Sequence, residues 1–513
     1  VVKAFNKTTP SFVTEIPIVV SVADESVLLS RLEAGRQMYN ACLGEARRRI
    51  DLIRQSKDFN KARSLKRSNP ERKVLFKRAR ERYEFSDYAI QAYGTRIRHS
   101  WVGEHIDAHT GTSVGGESTL SPKLSQKIAT RAFNAAEKVL FGQARGLRFK
   151  GLNQMDSVEG KSNAAGIRWK GDRVEWSGLK LPALQTLNDP VILHGLNSKV
   201  KYVRLVRRKI NGRNRFCAQL VCQGKPFIKP RNTLGKGDVG IDIGPSTIAV
   251  VSDTASHLKE FASELEFETK LVRQLQRKME RSRRATNPGN YNSNGTVKKG
   301  KKRWNSSNSY LKTRNSKANL ERKLAAHRKS LHGELVNNIL RTADVFKLEK
   351  LSYKAFQKLF GKSVGKRAPG MFVSHLRSKA ERAGGQVVEI PTHSTKLSQI
   401  CQCGRVKKKK LNERVHDCVC GVHAQRDLYS ALLAKHIEPN TFVLQVSQLI
   451  EDWHSAELRL WSQCRAGVPP VETTGVAAQE FSNGYSKSNW WEDYSFLLWS
   501  LPRGRTLRYR NLD

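Results

Sequence analysis

Three carboxylates lie at the ends of separate predicted core elements. Asp242 lies in the apolar run VGIDIG, which a Pro-Ser turn connects to a second apolar run, so a β-hairpin is predicted here. Glu349 ends another short apolar run, and Asp427 lies in the first turn of a predicted amphipathic helix. Each alone also fits an ordinary role, as an edge residue, a surface residue or a charge at a helix start. Together they predict a site for two Mg²⁺ ions, because a buried carboxylate is costly unless it is paired or metal-bound.

A second group of metal-ligating residues follows Glu349 in the chain. Four of the 8 cysteines are clustered, namely Cys401, Cys403, Cys418 and Cys420. Four thiolates suit tetrahedral Zn²⁺, so we predict a zinc site with these ligands. His416 is close enough in sequence to replace one thiolate, and an element without metal is the alternative. The other cysteines are scattered, which does not fit a disulfide framework.

The composition indicates a protein that binds nucleic acid. The chain of 513 residues has 92 lysines and arginines against 46 acidic residues, which gives a net charge of +46. Such an excess opposes compact folding unless a polyanion neutralises it. A ribosome-like or merely adhesive basic protein is the alternative. No run reaches the roughly 18 apolar residues of a membrane span, and no signal sequence is recognised at the start, so we expect an intracellular protein.

The ordered set of hairpin Asp242, strand Glu349, cysteine cluster and Arg426-Asp427 helix resembles the RuvC-like nuclease of the TnpB family and the related compact type V CRISPR effectors. The resemblance covers about residues 236–437. It implies an RNA-guided DNA endonuclease in which a guide RNA pairs with double-stranded target DNA beside a short flanking motif. It also implies location in the prokaryotic cytoplasm or nucleoid, and leaves the oligomeric state open.

The resemblance also assigns roles to site residues. Asp242, Glu349 and Asp427 would be catalytic and would hold two Mg²⁺ ions in one site that cuts both strands in turn, leaving 3′-hydroxyl ends. Arg426 would contact the scissile phosphate or pair with a carboxylate, and both roles remain open. Two features depart from the family: the cysteine pairs are C-x-C where the family usually has C-x-x-C, and His423 stands where it often has an acid.

The expected fold is multidomain α+β, with a helical recognition lobe, a β-barrel wedge domain and an RNase H-like (RuvC) α/β nuclease that contains an inserted zinc knuckle. The predicted segments are a wedge strand (1–23), the helical recognition domain (24–149), the wedge β-barrel (150–235), the first two RuvC motifs (236–394), the zinc-binding target-nucleic-acid element (395–424), the third RuvC motif (425–445) and a C-terminal extension (446–513). The extension is nearly neutral and holds five of the nine tryptophans, so it is not expected to be an electrostatic arm.

Two basic stretches are predicted to contact nucleic-acid phosphates. The first is helical, spans residues 47–82 and includes Arg47, Arg48, Lys66 and Arg67. The second, 285–315, is rich in Asn, Ser and Gly and is predicted to be a flexible loop that orders on nucleic acid, or else a linker without a role. Its candidate contacts are Lys298, Lys299, Lys301, Lys302 and Arg303.

Apolar periodicity predicts the remaining elements. Helices are predicted from Asp24 or Ser26 onward and over 88–101, 123–141, 267–284, 316–340, 371–383 and 443–460. Strands are predicted over 16–22, 166–169, 173–176, 191–193, 200–207, 215–221 and 386–390. Asn211-Gly212 predicts a hairpin turn, and the Gly/Ser/Thr-rich residues 109–119 predict a loop.

Two other functions share parts of this pattern. One is a guided DNA-binding repressor that does not cleave effectively, which usually lacks one carboxylate of the set. The other is a transposition-associated protein that joins strands with the same RNase H-like site. All three carboxylates are present here, and the zinc element with the Arg-Asp helix favours a guided nuclease over strand transfer.

Overall fold

A computed structural model describes residues 9–98, 105–106, 113–114, 120–230, 233–410 and 413–465. These residues form a mixed α/β structure with several sheets, divided into two compact units. The first unit comprises the described residues of Val1–Lys236, Ala262–Asp344 and Gly365–Gln386. The second unit comprises those of Gly237–Phe261, Val345–Val364 and Val387–Asp513. The domain boundaries predicted from the sequence remain predictions. No described helix combines the length and apolar character needed to cross a membrane.

The helices of the described residues, in chain order, are α1 (Val22–Gln55), α2 (Lys57–Ser64), α3 (Pro70–Arg82), α4 (Asp87–Ile97), α5 (Pro122–Leu140), α6 (Pro190–Leu196), α7 (Glu266–Thr286), α8 (Asn308–Leu340), α9 (Tyr353–Arg367), α10 (Pro369–Ala383), α11 (Thr392–Thr395), α12 (Arg426–Lys435) and α13 (Val446–Arg465).

The strands of the described residues are β1 (Ser11–Pro17), β2 (His105–Ile106), β3 (Ser113–Val114), β4 (Ser157–Glu159), β5 (Ile167–Trp169), β6 (Arg173–Trp176), β7 (Leu179–Pro182), β8 (Val200–Ile210), β9 (Arg213–Gln223), β10 (Asp238–Ile243), β11 (Thr247–Val251), β12 (Ser256–Glu260), β13 (Val345–Glu349), β14 (Gln386–Ile390), β15 (Val415–Asp417) and β16 (His423–Gln425).

In the first unit, helices α1, α4 and α5 pack together and share one apolar core with strands of the same unit. Helix α1 contributes Leu28, Leu32 and Met38 to this core, at the spacing that places side chains on one helix face. Its first turn is capped by Ser21, whose hydroxyl accepts a hydrogen bond from the backbone N–H of Asp24 at 3.1 Å. The predicted cap at Asp24 or Ser26 was therefore a few residues late.

Two antiparallel sheets accompany these helices. The larger has the order β1-β9-β8-β4, and the smaller has the order β5-β6-β7. The hairpin of β8 and β9 turns at Asn211 and Gly212, which have φ values of 51° and 79° as a type I′ turn requires, so the predicted hairpin is confirmed. An isolated bridge between Ile18 and Ala183 connects the ends of β1 and β7. Closure into a barrel remains a prediction.

One strand prediction in this unit was wrong, and another was displaced along the chain. Residues 191–193 belong to helix α6, because Asp189 caps the helix by accepting a hydrogen bond from Val191 N–H at 2.9 Å and Pro190 occupies its first position. The strand predicted over 16–22 lies earlier, as β1, and α1 has begun by Val22. In both places a capping residue starts a helix within or next to an apolar run. Such a short run fits a strand or a helix equally well, so periodicity alone could not decide between them.

The basic segment predicted as a flexible loop over 285–315 has a defined hydrogen-bonded structure. Helix α7 extends to Thr286 and α8 begins at Asn308, so the connection is shorter than predicted. The Asn287 side chain donates to the Asn305 carbonyl at 2.9 Å and accepts from the Asn305 N–H at 2.7 Å. The Arg283 guanidinium lies 4.8 Å from the centre of the Trp304 ring. A role of this segment in binding nucleic acid stays a prediction.

Some predictions fall wholly or partly outside the described residues. Most of the loop predicted over 109–119 lies outside them, although Ser113–Val114 form β3 and pair with β2. The end of the helix predicted over 88–101 also lies outside them, beyond α4. The helix predicted over 443–460 is confirmed as α13, whereas residues 466–513 of the C-terminal extension are not described.

The second unit is built on a five-stranded sheet with the order β12-β11-β10-β13-β14. Strand β10 lies at its centre, antiparallel to β11 and parallel to β13. Helix α12 packs on β10 and β11, and its residues from Asp427 to Lys435 are all buried. The helix predicted to be amphipathic is therefore buried on every side, as its run of Leu and Ala permits. A second helix, α13, contacts it through Trp453, whose ring meets Tyr429 edge-on at 5.6 Å.

The close packing of α12 on β10 depends on Gly240. A Cβ atom added at this position would lie 1.8 Å from the Ala431 carbonyl oxygen and 2.6 Å from the Lys435 backbone nitrogen. We expect Gly240→Ala to lower the free energy of unfolding by about 1–3 kcal/mol or more, because backbone atoms must move apart. Urea unfolding measures this loss. Gly361→Ala is the control, since a Cβ atom at Gly361 meets nothing within 4 Å; equal unfolding midpoints for the two variants would contradict the packing described here.

Candidate metal-dependent active site

Two of the predicted carboxylates lie at adjacent strand ends. In the parallel pairing of β10 with β13, Ile241 is opposite Leu348, so Asp242 and Glu349 follow the last paired residues of neighbouring strands. Parallel strands bring equivalent ends to the same edge of a sheet. The carboxylate of Glu349 also accepts a hydrogen bond from the backbone N–H of Leu397. The sheet therefore brings together two acids that are separated by more than a hundred residues in sequence.

The third carboxylate, Asp427, is presented by the first turn of α12. Gln425 caps this helix by accepting a hydrogen bond from Leu428 N–H at 2.7 Å. One oxygen of Asp427 accepts from Arg426 Nε and Nη2 at 3.1 and 3.0 Å, and the other accepts from Arg414 Nη1 at 3.4 Å. Of the two roles left open for Arg426, the structure thus shows pairing with a carboxylate.

The three carboxylates are close enough for their charges to interact. Burial raises the pKa of Asp242 well above its usual range, and the negative charges of Asp427 and Glu349 raise it further. Burial also raises the pKa of Glu349 to about 7. Groups whose charged forms are this unfavourable need cations nearby when they are ionised. The arrangement is therefore suited to binding hard divalent cations through carboxylate oxygens.

These carboxylates do not converge on a single point. Among the described residues, the one set of at least three metal-ligating groups within 4.8 Å of one another is the four-cysteine cluster. Two-metal sites hold their ions about 3.5–4 Å apart, so their ligands need not all reach one ion. The carboxylate arrangement is compatible with such a site.

The four cysteines form a cluster whose geometry fits tetrahedral zinc. The sulfur atoms of Cys401 and Cys420 are 3.5 Å apart, and those of Cys403 and Cys418 are 3.6 Å apart. All four sulfurs lie within 4.8 Å of one another. Four sulfurs at about 2.3 Å from a central zinc would be separated by about 3.8 Å. The cluster therefore has the spacing that a structural zinc ion requires, as predicted from the sequence.

Each C-x-C pair is followed by a glycine that closes its turn. The N–H of Gly404 donates to the Cys401 carbonyl at 2.9 Å, and the N–H of Gly421 donates to the Cys418 carbonyl at 3.0 Å. The two glycines have φ values of 80° and 92°, which other residues rarely adopt. The repeated C-x-C-G sequence thus forms two equivalent turns, and the short spacing still brings all four sulfurs together.

The thiols of the cluster differ in how readily they ionise. The pKa of Cys418 is lowered to about 7, mainly because its sulfur accepts a hydrogen bond from the backbone N–H of Cys420. The lower pKa favours the thiolate, which is the form that binds zinc. Burial raises the pKa of Cys401 to about 12. A bound cation would supply the positive charge that stabilises the second of these thiolates.

His416 is not part of the metal-ligand group. Its Nδ1 accepts a hydrogen bond from Lys409 Nζ at 2.5 Å, and its ring centre lies 4.3 Å from that of Tyr429. The alternative in which His416 replaces a thiolate therefore does not match its position here. His423, the second departure from the family pattern, pairs with Asp417 at 3.2 Å.

Tyr429 connects helix α12 to the cysteine cluster. Its hydroxyl accepts a hydrogen bond from the backbone N–H of Gln402 at 3.1 Å and lies 3.6 Å from the Cys401 sulfur. We expect Tyr429→Phe to leave this N–H without a partner and to lower the free energy of unfolding by about 1–3 kcal/mol. Zinc should also be lost to a chelator faster than from the wild type. The control is Tyr202→Phe in β8, and zinc retention equal to that of the wild type would refute this connection.

The predicted phosphate contacts occupy two separate places. Arg47 and Arg48 lie exposed on α1 and pair with Asp51 and Glu45, respectively. The remaining predicted contacts of the first stretch, Lys66 and Arg67, are exposed between α2 and α3. Lys298, Lys299, Lys301 and Arg303 are exposed between α7 and α8, whereas Lys302 is half-buried and donates to the Lys299 carbonyl at 2.7 Å.

Sequence reasoning missed two residues beside the site. Arg414 received no role in the sequence analysis, and Tyr429 was one residue of the predicted amphipathic helix that begins near Asp427. The sequence did offer one signal for Tyr429, because it lies two positions after Asp427 in the same predicted helix. Its partner could not be identified, because the contact with Cys401 spans 28 residues of chain.

Comparison with known proteins identifies one segment of the chain. Residues 370–433 match the family model described as "Cas12f1-like, TNB domain". This match confirms the resemblance to the TnpB family and compact type V effectors, and it covers the cysteine cluster and most of α12. No curated protein matches the chain.

Two solved structures are similar to this chain at low identity. One is a chain in a cryo-EM structure of a Cas12f1–sgRNA–target DNA complex, with 12% identity, coverage of 82% of this chain and 98% of that chain, and a TM-score of 0.43. The other is a chain in a cryo-EM structure of a CRISPR-Cas12f ternary complex, with 10% identity, coverage of 85% and 100%, and a TM-score of 0.26. Similarities at TM-scores below 0.5 do not establish a shared fold.

Proposed function

We propose that this chain, which carries a TNB domain of the Cas12f1-like family, is an RNA-guided DNA endonuclease. The main support for the proposal is that Asp242, Glu349 and Asp427 lie close enough for their charges to interact. The same unit contains a four-cysteine cluster whose sulfur spacing fits zinc. Such carboxylates suit metal-dependent hydrolysis of a phosphodiester, and the matched domain supports the proposal that the nuclease is RNA-guided.

In this proposal Asp242, Glu349 and Asp427 hold two Mg²⁺ ions. When bound, the ions supply an activated water and stabilise the leaving oxygen of the phosphodiester. Arg426 and Arg414 orient Asp427 by occupying both of its oxygens. Cys401, Cys403, Cys418 and Cys420 hold Zn²⁺, which fixes the segment that carries Arg414.

The basic surfaces are proposed to bind the guide RNA and the target DNA. The net charge of +46 has to be neutralised by a polyanion, and phosphates are the natural partners of exposed Arg and Lys. Sequence specificity then comes from base pairing between the guide and one DNA strand, while the protein recognises the shape of the hybrid and a short flanking motif. The predicted recognition and wedge segments, 1–235, are the proposed site of these contacts.

One observation favours a second candidate function. Both oxygens of Asp427 are paired with arginines, which is also compatible with a guided DNA-binding protein that cleaves little or not at all. The presence of all three carboxylates favours the nuclease. Their mutual repulsion destabilises the fold, and a protein that only binds DNA would gain nothing from it.

The proposal is tested first by isolating the protein from cells that carry its native locus. We expect one structured RNA to co-purify, and we expect the purified complex to bind double-stranded DNA that matches the variable end of this RNA. Unmatched DNA of the same length is the control. Absence of a bound RNA, or equal binding of matched and unmatched DNA, would refute the proposed function.

A further inference from the structure

The N-terminal helices of the first unit line an open cavity. Several of its basic residues belong to the stretch 47–82 that is predicted to contact phosphates, although Arg47, Arg48, Lys66 and Arg67 do not line it. It is about 1110 Å³ in volume and is lined by α1, α3, α4 and the residue that caps α5. An adjoining cavity of about 400 Å³ shares Phe76, Arg80 and Phe141 with it. The two together are called the helical groove. Pockets for small ligands are about 300–1,000 Å³, so the groove has room for more than one nucleotide.

Aromatic rings stand exposed along the helical groove. Tyr88 is 83% exposed and Phe141 is 53% exposed. Burying an aromatic side chain of this size would stabilise the fold, so their exposure is unfavourable for the protein alone. Tyr93 and Phe76 line the same groove and are half-buried. Two alanines of α4, Ala89 and Ala92, leave space between the rings. The groove therefore offers aromatic rings that are accessible to a ligand, with Tyr88 the most exposed of them.

Cations are placed against these rings. The Arg80 guanidinium lies 5.4 Å from the Phe141 ring centre, and the Arg96 guanidinium lies 5.7 Å from that of Tyr93. The larger cavity is lined by five basic residues and two acidic ones, and the smaller adds Arg54, Arg63 and Arg72 with no acid. Aromatic faces that alternate with Arg and Lys are the combination that binds single-stranded nucleic acid, through base stacking and phosphate contacts.

We propose that the helical groove binds unpaired nucleotides of the guide RNA, with a base stacked on Tyr88 or Phe141 and the neighbouring phosphates on Arg80 and the other basic residues. This inference rests on the proposed function and adds a subsite to it. RNA is favoured over DNA because a structured RNA presents loops and bulges with splayed bases before any DNA is bound, whereas the DNA offers unpaired bases only in the strand that the hybrid displaces. The excess of cations disfavours an apolar peptide as the occupant.

The test uses the full chain and the RNA that co-purifies with it. The double variant Tyr88→Ala/Phe141→Ala is expected to bind this RNA about 10-fold more weakly, since one stacked base contributes about that factor. Binding is measured at raised salt, where the phosphate contacts of a highly basic protein contribute less. Tyr88→Phe keeps the ring and is expected to bind as the wild type does. Phe267→Ala, which removes a ring on α7 that is 68% exposed, is the matched control.

Each outcome decides the proposal. RNA affinity of the double variant equal to that of the wild type overturns it, and so does an equal loss in Phe267→Ala. A loss in Tyr88→Phe would show that the hydroxyl, and not stacking, makes the contact. If RNA binding is unchanged and the RNA-loaded variant loses only DNA affinity, the occupant is DNA and the proposal fails. A wild-type protein that holds no RNA refutes the proposed function itself, whereas an unaffected double variant refutes only the groove.

Discussion

Replacing Asp242 by Asn is expected to abolish DNA cleavage and to raise the thermal stability of the protein in the absence of Mg²⁺. Burial raises the pKa of the Asp242 carboxyl well above its usual range, and the negative charges of Asp427 and Glu349 raise it further. An amide has a similar shape and removes the repulsion, but it is a poor ligand for a hard cation. The gain in stability and the loss of activity therefore have the same cause.

This prediction is measured by strand cleavage and by thermal unfolding of the same samples. Asp172→Asn, an exposed carboxylate of the first unit, is the control and is expected to change neither quantity. Guide RNA binding should be retained by both variants. Cleavage by Asp242→Asn at the wild-type rate would remove Asp242 from the site, and a lower melting temperature would show that its charge is compensated in the folded protein.

The raised pKa of Glu349 also makes the free energy of unfolding depend on pH. Its folded-state pKa is about 7 against an ordinary value of 4.5, so the folded protein binds more protons than the unfolded chain between these values. Stability without Mg²⁺ should therefore decrease as the pH rises from about 4.5 through about 7. Glu349→Gln should weaken this dependence, as measured by melting temperatures in Mg²⁺-free buffer without a chelator that would remove zinc.

Replacing Cys403 by Ser is expected to release zinc and to reduce cleavage strongly, although Cys403 is not among the proposed catalytic residues. The zinc-compatible loop holds Arg426 through the carbonyl oxygens of Glu413 and Lys410, at 2.8 and 3.2 Å, and it carries Arg414. Both arginines hold Asp427. Loss of the cluster should therefore displace the Asp427 carboxylate, which is proposed to bind metal.

The size of this effect follows from zinc chemistry. Loss of an outer partner of a zinc ligand alone lowers metal affinity about 10- to 100-fold, so loss of a ligand should lower it by at least about 100-fold. Zinc content is measured by elemental analysis of the purified chain, with one ion expected in the wild type. Cys217→Ala, a buried cysteine outside the cluster, should keep both zinc and cleavage. If Cys403→Ser lacks zinc and still cleaves normally, the cluster does not control the position of Asp427 and this prediction is wrong.

The parts of the fold that could be predicted from the sequence are those in which local signals agree. The strand Gln386–Ile390 and the turn at Asn211-Gly212 have strong patterns and were predicted correctly. The shared site of Asp242 and Glu349 was inferred from motif order and a family resemblance, but the adjacency of their strands was not predicted, because periodicity alone does not identify strand neighbours. The four-cysteine cluster followed from residue type and spacing.

Other features depend on contacts that no local pattern contains. Helix α6 was mistaken for a strand because three apolar residues fit either structure and the Asp189 cap decided between them. The position of Tyr429 against Gln402, and the gathering of Tyr88, Arg80 and Phe141 in the helical groove, arise from packing of distant segments. The connection between α7 and α8 has the composition of a loop, but its Asn side chains bond its own backbone.

The most direct test of the account is a cleavage time course of the RNA-bound wild-type complex on matched double-stranded DNA with both strands labelled. The account predicts cuts in both strands that require Mg²⁺ and a match to the bound RNA, leave 3′-hydroxyl ends and disappear in Asp242→Asn, Glu349→Gln and Asp427→Asn. Tight binding of matched DNA without cuts at any Mg²⁺ concentration would contradict the nuclease and establish the guided binding protein in its place.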